Sequence, residues 1–305
     1  MKILVTGGAG YKGVVLAKAL LDKGHQVTIL DNFMYGCEPV LHLVGNPAFA
    51  AVREDIRNLN EKHLKDFDVI YHLAGISGYP ACEANPHSAK LINVDASRRL
   101  RDLLSRDQRI IYASTTSFYG KSGARCDEDT PVEPVSLYGI TKYQAEQELL
   151  QREHSISLRF ATIFGVSPRM RVDLLVNDFT CKAMHERCIV LFESKTKRTF
   201  LHIQDAIAAY VFTLDHFDAM KHGIYNVGSE ALNFTKMEIA QAVKDETNCS
   251  IIDSEMKDFD TRNFVIAFDK FAKLGFQVRY SLPDGIREMV KLYRFYRPNL
   301  PYATI

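Results

Sequence analysis

Long apolar runs are missing from this 305-residue chain. None reaches the roughly 18–20 residues that span a bilayer, so no membrane anchor is expected. An excess of one charge is missing too. Lys and Arg number 38 against 37 Asp and Glu, a net charge of +1. That balance argues against nucleic acid or an anionic membrane as the main partner, while leaving room for a local anion site. Nor does the start look like a leader. Met1-Lys2-Ile3-Leu4-Val5 enters a strand-like run directly, without the charged, apolar and cleavage regions of a signal peptide. The six cysteines (Cys37, Cys82, Cys126, Cys181, Cys188, Cys249) form no Cys-x-x-Cys pair. Free thiols in a reducing compartment are expected rather than a disulfide framework. No His, Cys or carboxylate cluster has metal-ligand spacing, so no metal is expected. Repeats, low complexity and long linkers are absent as well. What is left is a cytoplasmic enzyme or binding protein.

Against these absences stands a regular alternation. Short apolar runs at 3–5, 26–30, 49–52, 69–72, 110–113 and 156–160 predict strands, and the segments 11–23, 84–105 and 136–154 predict helices. Strand–helix alternation with apolar strands predicts an α/β fold, a doubly wound parallel sheet whose strand ends bind ligand along one edge. Beyond residue 160 the pattern loosens. Helices are predicted at 172–186, 204–214, 235–247 and 284–296, with strands at 198–203 and 224–227. The expected division is a dinucleotide-binding domain over 1–160, completed by a returning strand near 224–228. Residues 161–305 would form mainly a smaller α/β substrate-binding lobe.

Thr6-Gly7-Gly8-Ala9-Gly10-Tyr11-Lys12-Gly13 joins the first strand to the first helix. Gly7, Gly10 and Gly13 would allow the tight turn, the close approach of backbone to a pyrophosphate, and helix–strand packing, respectively. The helix N-terminus adds N–H groups and a positive dipole. Asp31 follows the second strand, 24 residues after Gly7, near the roughly 20-residue offset of a ribose-binding carboxylate. Its charge would repel the 2′-phosphate of NADP, and no Arg follows at Asn32 or Phe33, so NAD is the expected cofactor. A simple turn-capping role for Asp31 is the alternative.

Tyr138 and Lys142 stand at i and i+4, on one helix face. A Lys cation beside a Tyr favours the phenolate. The strand before this helix ends in the hydroxyl cluster Ser114-Thr115-Thr116-Ser117, at the expected ligand edge.

With these motifs and with Asp55-Ile56-Arg57, His72-Leu73-Ala74-Gly75, Asn93, Phe118-Tyr119-Gly120 and the run Arg198 to Asp205, the chain resembles the extended short-chain dehydrogenase/reductases. The resemblance is to their NAD-dependent nucleotide-sugar epimerase/dehydratase group. It spans nearly the whole chain and implies a Rossmann sheet, NAD and a nucleotide-diphosphate sugar substrate. It makes Tyr138 the base for a sugar hydroxyl, usually at C4. Lys142 would hold the nicotinamide ribose, and Thr115 would bond the same sugar oxygen. Tyr11, Lys12 and Asn32 would line the cofactor, Asp55 and Ile56 would flank the adenine, and Leu73 and Ala74 would line the cleft. Thr116, Arg169, Asn177 and Arg198 are the candidate substrate contacts, and Asn93 is expected to be structural. A homodimer through the helices at 84–105 and 136–154 is also implied.

Departures from the family pattern narrow the chemistry. Thr116 and Ser117 stand where the dehydratase branch carries Asp-Glu, so elimination would lack its proton donor. Thr162 stands where many members place an Asn. Lys12 replaces a usual apolar residue, either to pair with pyrophosphate or simply as an exposed side chain. Cys82 occupies a position often held by Ser, where an ordinary buried thiol is the expectation. His72 and His87 are expected to be structural. Arg198 could instead belong to the solvated basic run Lys195-Thr196-Lys197-Arg198. The stretch 164–179 is similar to that of a subgroup acting on GDP-linked sugars. The expected activity is oxidation at C4 of a nucleotide sugar, as epimerase or 4-dehydrogenase, with a 4-keto reductase and a non-catalytic dinucleotide-binding regulator as alternatives.

Overall fold

The computed structural model describes residues 1–120, 125–255 and 265–298. Seven strands build the central sheet: β1 (Lys2–Thr6), β2 (Gln26–Asp31), β3 (Phe49–Arg53), β4 (Val69–His72), β5 (Arg109–Thr115), β6 (Ser155–Phe160) and β7 (Gly223–Val227). Their spatial order is β7-β6-β5-β4-β1-β2-β3, and every pairing is parallel. The order reverses between β1 and β4, which opens a crevice at their carboxyl ends. The described helices of eight or more residues are α1 (Gly13–Asp22), α2 (Ala96–Leu103), α3 (Leu137–Leu149), α4 (Leu175–His185), α5 (Ile203–Asp215), α6 (Lys236–Thr247) and α7 (Leu282–Tyr293).

Alternation along the strands makes two cores. In β1, Ile3 and Val5 pack toward α1 and α5, and Leu4 packs on the other side with Leu100 of α2 and Leu149 of α3. A third core holds the C-terminal lobe, where Val176, Ile239, Ile286 and Met289 join α4, α6 and α7. Their caps agree with sequence: Thr235 with Glu238 and Ser281 with Asp284 form capping boxes.

The predicted helix over 84–105 is not continuous. Short helices Tyr79–Ala84 and Pro86–Lys90 are followed by a π-type turn, Leu91–Asp95, and only then by α2. Pro86 forces the first break, and Asn85 caps the new start by accepting from Ser88 N at 3.1 Å. The widened turn at Leu91–Asp95 is a feature often found at functional sites. The loose C-terminal pattern resolves into small sheets that local periodicity did not reveal. Thr162–Phe164 pairs with Lys197–His202, which also pairs with Asn233–Thr235, and Cys188–Phe192 pairs with Ser250–Ser254.

Candidate active site

The loop from β1 to α1 is shaped by its glycines. Gly7 has φ +69°, and a Cβ there would lie 2.7 Å from Ala74 N. Glycine alone lets this turn close onto the loop after β4. A Cβ on Gly13 would lie 2.3 Å from Gly7 O. A Cβ on Gly10 would meet only Gly7 O within 4 Å, so the loop is open on that side. No side chain caps α1, whose N-cap is Lys12. A bare backbone cradle at a helix N-terminus fits a dinucleotide pyrophosphate.

Asp31 ends β2 and closes the same cradle. Its carboxylate accepts from Ala9 N at 3.0 Å and from Phe33 N at 2.9 Å. It therefore ties the glycine loop to the β2 turn, and each oxygen keeps a lone pair for a ribose hydroxyl. Burial pushes its pKa up, and the backbone N–H bonds oppose that rise. Ile56 is buried, while Asp55 is held in a fork by Arg57 Nε and Nη2, both at 2.8 Å. Asn32 Nδ2 reaches Asp55 at 3.4 Å, and Leu73 and Ala74 are half-buried beside the glycine loop. We expect Asp31→Ala to lose on the order of 1–3 kcal/mol of NAD affinity, the scale of a charged hydrogen bond. Calorimetry with NAD and NADP checks this. The parent should prefer NAD, and the variant should lose that preference.

Across the crevice, Ser136 caps α3 by accepting from Gly139 N at 3.1 Å. The next two turns carry Tyr138, half-buried, and Lys142, buried. Lys142 Nζ stands 4.0 Å from the centroid of the Tyr112 ring. Burial lowers its pKa to about 7, and the charge of Lys12 adds to the effect. Thr115, at the end of β5, accepts from Ser117 N at 3.1 Å and donates to Ser117 Oγ at 3.0 Å. Thr116, expected to touch substrate, has a partner within the fold. Its hydroxyl is buried and donates to Phe160 O at 3.2 Å, so it braces β6, and Ser117 is the second hydroxyl on the Thr115 side.

Buried polar groups fix this arrangement. Asn93, set by the π-type turn, bonds both Ile76 N and Ile76 O, at 2.8 and 3.0 Å, and donates to Thr141 Oγ1 at 3.1 Å. It thus ties the loop after β4 to the residue beside Lys142, a structural role as expected. His72 is also structural. It bonds Thr6 Oγ1 at 2.8 Å and Ser97 Oγ at 2.9 Å, and burial pulls its pKa down to about 3, so the ring stays neutral. Cys82 is a buried thiol whose pKa burial raises to about 11, which matches the inert reading.

The C-terminal lobe contributes cations. Arg171 Nη1 donates to Ser77 Oγ at 3.1 Å, and its other nitrogens pair with Asp173. Burial opposes its charge, and Asp173 more than offsets that effect. Tyr138 and Tyr11 lie within its electrostatic reach. Arg169 is placed elsewhere, 4.4 Å from the Tyr35 ring centroid. Of the two arginines, it is Arg171 that interacts electrostatically with Tyr138. Asn177, expected to touch substrate, is fully buried. Its amide accepts from Gly165 N at 3.1 Å and donates to Arg171 O at 2.9 Å. It holds the loop that carries Arg171. Arg198 is half-buried on the strand Lys197–His202, whose Phe200 pairs with Thr162. One small sheet therefore carries both. Lys12 is neither exposed nor salt-bridged among the described residues, and its Nζ lies 4.6 Å from the Phe160 ring centroid.

The profile of the NAD-dependent epimerase/dehydratase family matches residues 3–228. The chain belongs to that family. It is 28 % identical to UDP-glucuronic acid decarboxylase 1 of Arabidopsis thaliana, over 96 % of this chain and 70 % of the relative. It is 29 % identical to a UDP-glucose 4-epimerase of Corynebacterium glutamicum, over 75 % of each. A crystal structure of UDP-glucuronic acid 4-epimerase from Bacillus cereus, with UDP-glucuronic acid and NAD, superposes with a TM-score of 0.87. It is 25 % identical and covers 96 % of this chain and 99 % of that one. Epimerase/dehydratase membership makes NAD the cofactor and the protein an enzyme acting on nucleotide sugars. These relatives are named for UDP-sugars, so they do not support the GDP-sugar expectation drawn from 164–179. Among the described residues, no helix is long and apolar enough to cross a membrane, and no group of three side chains is placed to hold a metal ion.

Proposed function

We propose that this chain is a UDP-sugar 4-epimerase that oxidises C4 with NAD and returns the hydride to the opposite face. Thr115, Tyr138 and Lys142 at the strand-end crevice carry the reading. Tyr138 takes the C4 hydroxyl proton, Thr115 Oγ1 bonds the same oxygen, and Lys142 holds the ribose of the cofactor. NAD supplies the hydride acceptor. Hydroxyls, not carboxylates, fill positions 116 and 117, so no side chain there can protonate a departing C6 oxygen. That disfavours elimination. A 4-dehydrogenase or 4-keto reductase would use the same three groups, whereas a regulator would have no use for them.

UDP-glucuronic acid is the first substrate to test. Arg171 offers a cation near Tyr138 for the sugar carboxylate, and two of the relatives named above carry that sugar in their names. A 4-keto hexuronate is a β-keto acid and can lose its carboxyl group, so decarboxylation is the second reading, favoured by the Arabidopsis relative. The holoenzyme should be incubated with UDP-glucuronic acid, UDP-glucose and GDP-mannose, and its products followed by NMR. A 4-epimer supports the proposal, carbon dioxide with a pentose supports the second reading, and turnover of GDP-mannose alone refutes both.

On the same reading, residues 1–160 with β7 hold NAD, and 161–305 mainly hold the sugar nucleotide, with Arg169 and Arg198 as further phosphate contacts. The protein is proposed to be a homodimer through α2 and α3, twofold pairing being the commonest oligomer. Light scattering at micromolar concentration should give twice the chain mass.

A further inference from the structure

The proposed chemistry leaves one half-buried cation unexplained. Lys12 occupies the last position of the glycine loop before α1; its side chain is half-buried, and its ammonium lies over two aromatic rings. Nζ stands 4.6 Å from the Phe160 ring centroid and 5.7 Å from that of Tyr210, two rings that pack 4.8 Å apart. No carboxylate of the described residues pairs with it. Its nearest charged company is cationic: Arg171 acts on Lys12, and Lys12 acts on Lys142. Burial, with Arg171 second, lowers the Lys12 pKa to about 7. The carboxylates nearby are already engaged, Asp173 by Arg171 and Glu146, which acts on Lys142, by Arg159.

Such a cluster acts on what binds beside it. The carbon that loses its hydroxyl proton to Tyr138 must also give up its hydride, with both bonding electrons. The hydride-accepting ring therefore binds next to Tyr138, Lys142 and Thr115, and Thr115 pairs in register with Phe160, over whose ring Lys12 lies. That ring is cationic in NAD⁺ and neutral in NADH. The pyrophosphate is the same in both forms, so attraction to it cancels when the two are compared. Only the ring charge differs, and a half-buried ammonium beside the site acts on that difference.

We propose that Lys12 sets the redox preference of the cofactor site, favouring the neutral reduced ring over the cationic oxidised one. The inference rests on Tyr138 as the base, but its test needs no sugar. Failure of the partition test leaves C4 oxidation standing, and failure of sugar oxidation leaves the partition readable.

The holoenzyme is equilibrated with defined mixtures of NAD⁺ and NADH, freed of unbound cofactor and denatured, and the released forms are quantified. Lys12→Met and Lys12→Gln remove the charge, and Lys12→Arg keeps it. Circular dichroism verifies that each variant is folded. Both neutral variants should bind NADH over NAD⁺ about tenfold less selectively than the parent, the scale of one unit charge roughly 12 Å away at an effective dielectric of about 20. Lys12→Arg should stay within about threefold of the parent. An unchanged partition in a folded neutral variant overturns the proposal, because Lys12 would then act on the pyrophosphate or only on packing. A partition shifted toward NADH overturns it as well.

Discussion

Tyr138→Phe should fold, retain NAD and lose roughly 10²–10⁴ in turnover, the usual scale of general-base loss. The substitution keeps the ring and deletes only the oxygen. Tyr138 is half-buried on α3, so its ring packing survives, and the Ser136 cap and the Asn93–Thr141 bond that set the helix are untouched. Lys142→Met should lose cofactor affinity as well as rate, because its ammonium is proposed to hold the ribose. Thr115→Val should lose rate with less effect on NAD. Single-turnover measurement of NADH formation on the identified substrate separates the three. Turnover of Tyr138→Phe within a few-fold of the parent would refute the mechanism.

The largest loss of stability should follow from Glu146→Gln. Glu146 lies one turn beyond Lys142 on α3 and is completely buried. It pairs with Arg159 of β6, Nη2 to Oε1 at 2.7 Å, and accepts from Ser157 Oγ at 2.6 Å. Arg159 Nη1 donates to Tyr119 Oη at 2.7 Å, and Tyr119 donates to Asn226 on β7 at 2.8 Å. Amide for carboxylate keeps the shape but leaves a buried guanidinium without its counter-charge. Breaking such a pair costs about 3–5 kcal/mol. Urea denaturation of the parent and variant checks it. The double variant Glu146→Gln with Arg159→Met removes both charges and should recover part of the loss. A single-variant loss below about 1 kcal/mol would show that water or local rearrangement reaches the pair.

Fold and site differ in how much the sequence reveals. A buried parallel strand reads as a short apolar run, and a two-layered helix as a 3.6-residue repeat. Six strands of the central sheet, the last as a returning strand, were therefore visible, and the exposed edge strand β3 was visible as well because Phe49-Ala50-Ala51-Val52 is an apolar run all the same. The glycine loop was visible for a similar reason. Its conformation depends on the absence of a Cβ at Gly7 and Gly13, which only one residue type supplies. The Tyr138–Lys142 face follows from helical spacing alone.

What escaped was set by distant partners. The π-type turn at Leu91–Asp95 carries no local signature, and it is the closure of Asn93 onto Ile76 and Thr141 that gives it meaning. Thr116 and Ser117 are adjacent hydroxyls in sequence, yet β6 claims the first and leaves the second beside Thr115. Asn177 resembled a ligand contact and became the peg for Gly165 and Arg171. Between Arg169 and Arg171, only the packing of the 165–174 loop decides that Arg171 pairs with Asp173 and Ser77 while Arg169 lies over the Tyr35 ring. Lys12 is the clearest case. A lysine in a glycine loop reads as a phosphate contact or an exposed side chain, and its half-buried course over Phe160 exists only because β6 and α5 meet beneath the loop. Periodicity and glycine are local properties, so the sequence alone determined the sheet, the cofactor cradle and the tyrosine–lysine pair. The company each side chain keeps is decided by hydrogen bonds and packing across more than a hundred residues, as between Tyr11 and Gly165. Those contacts exist only once the chain has folded.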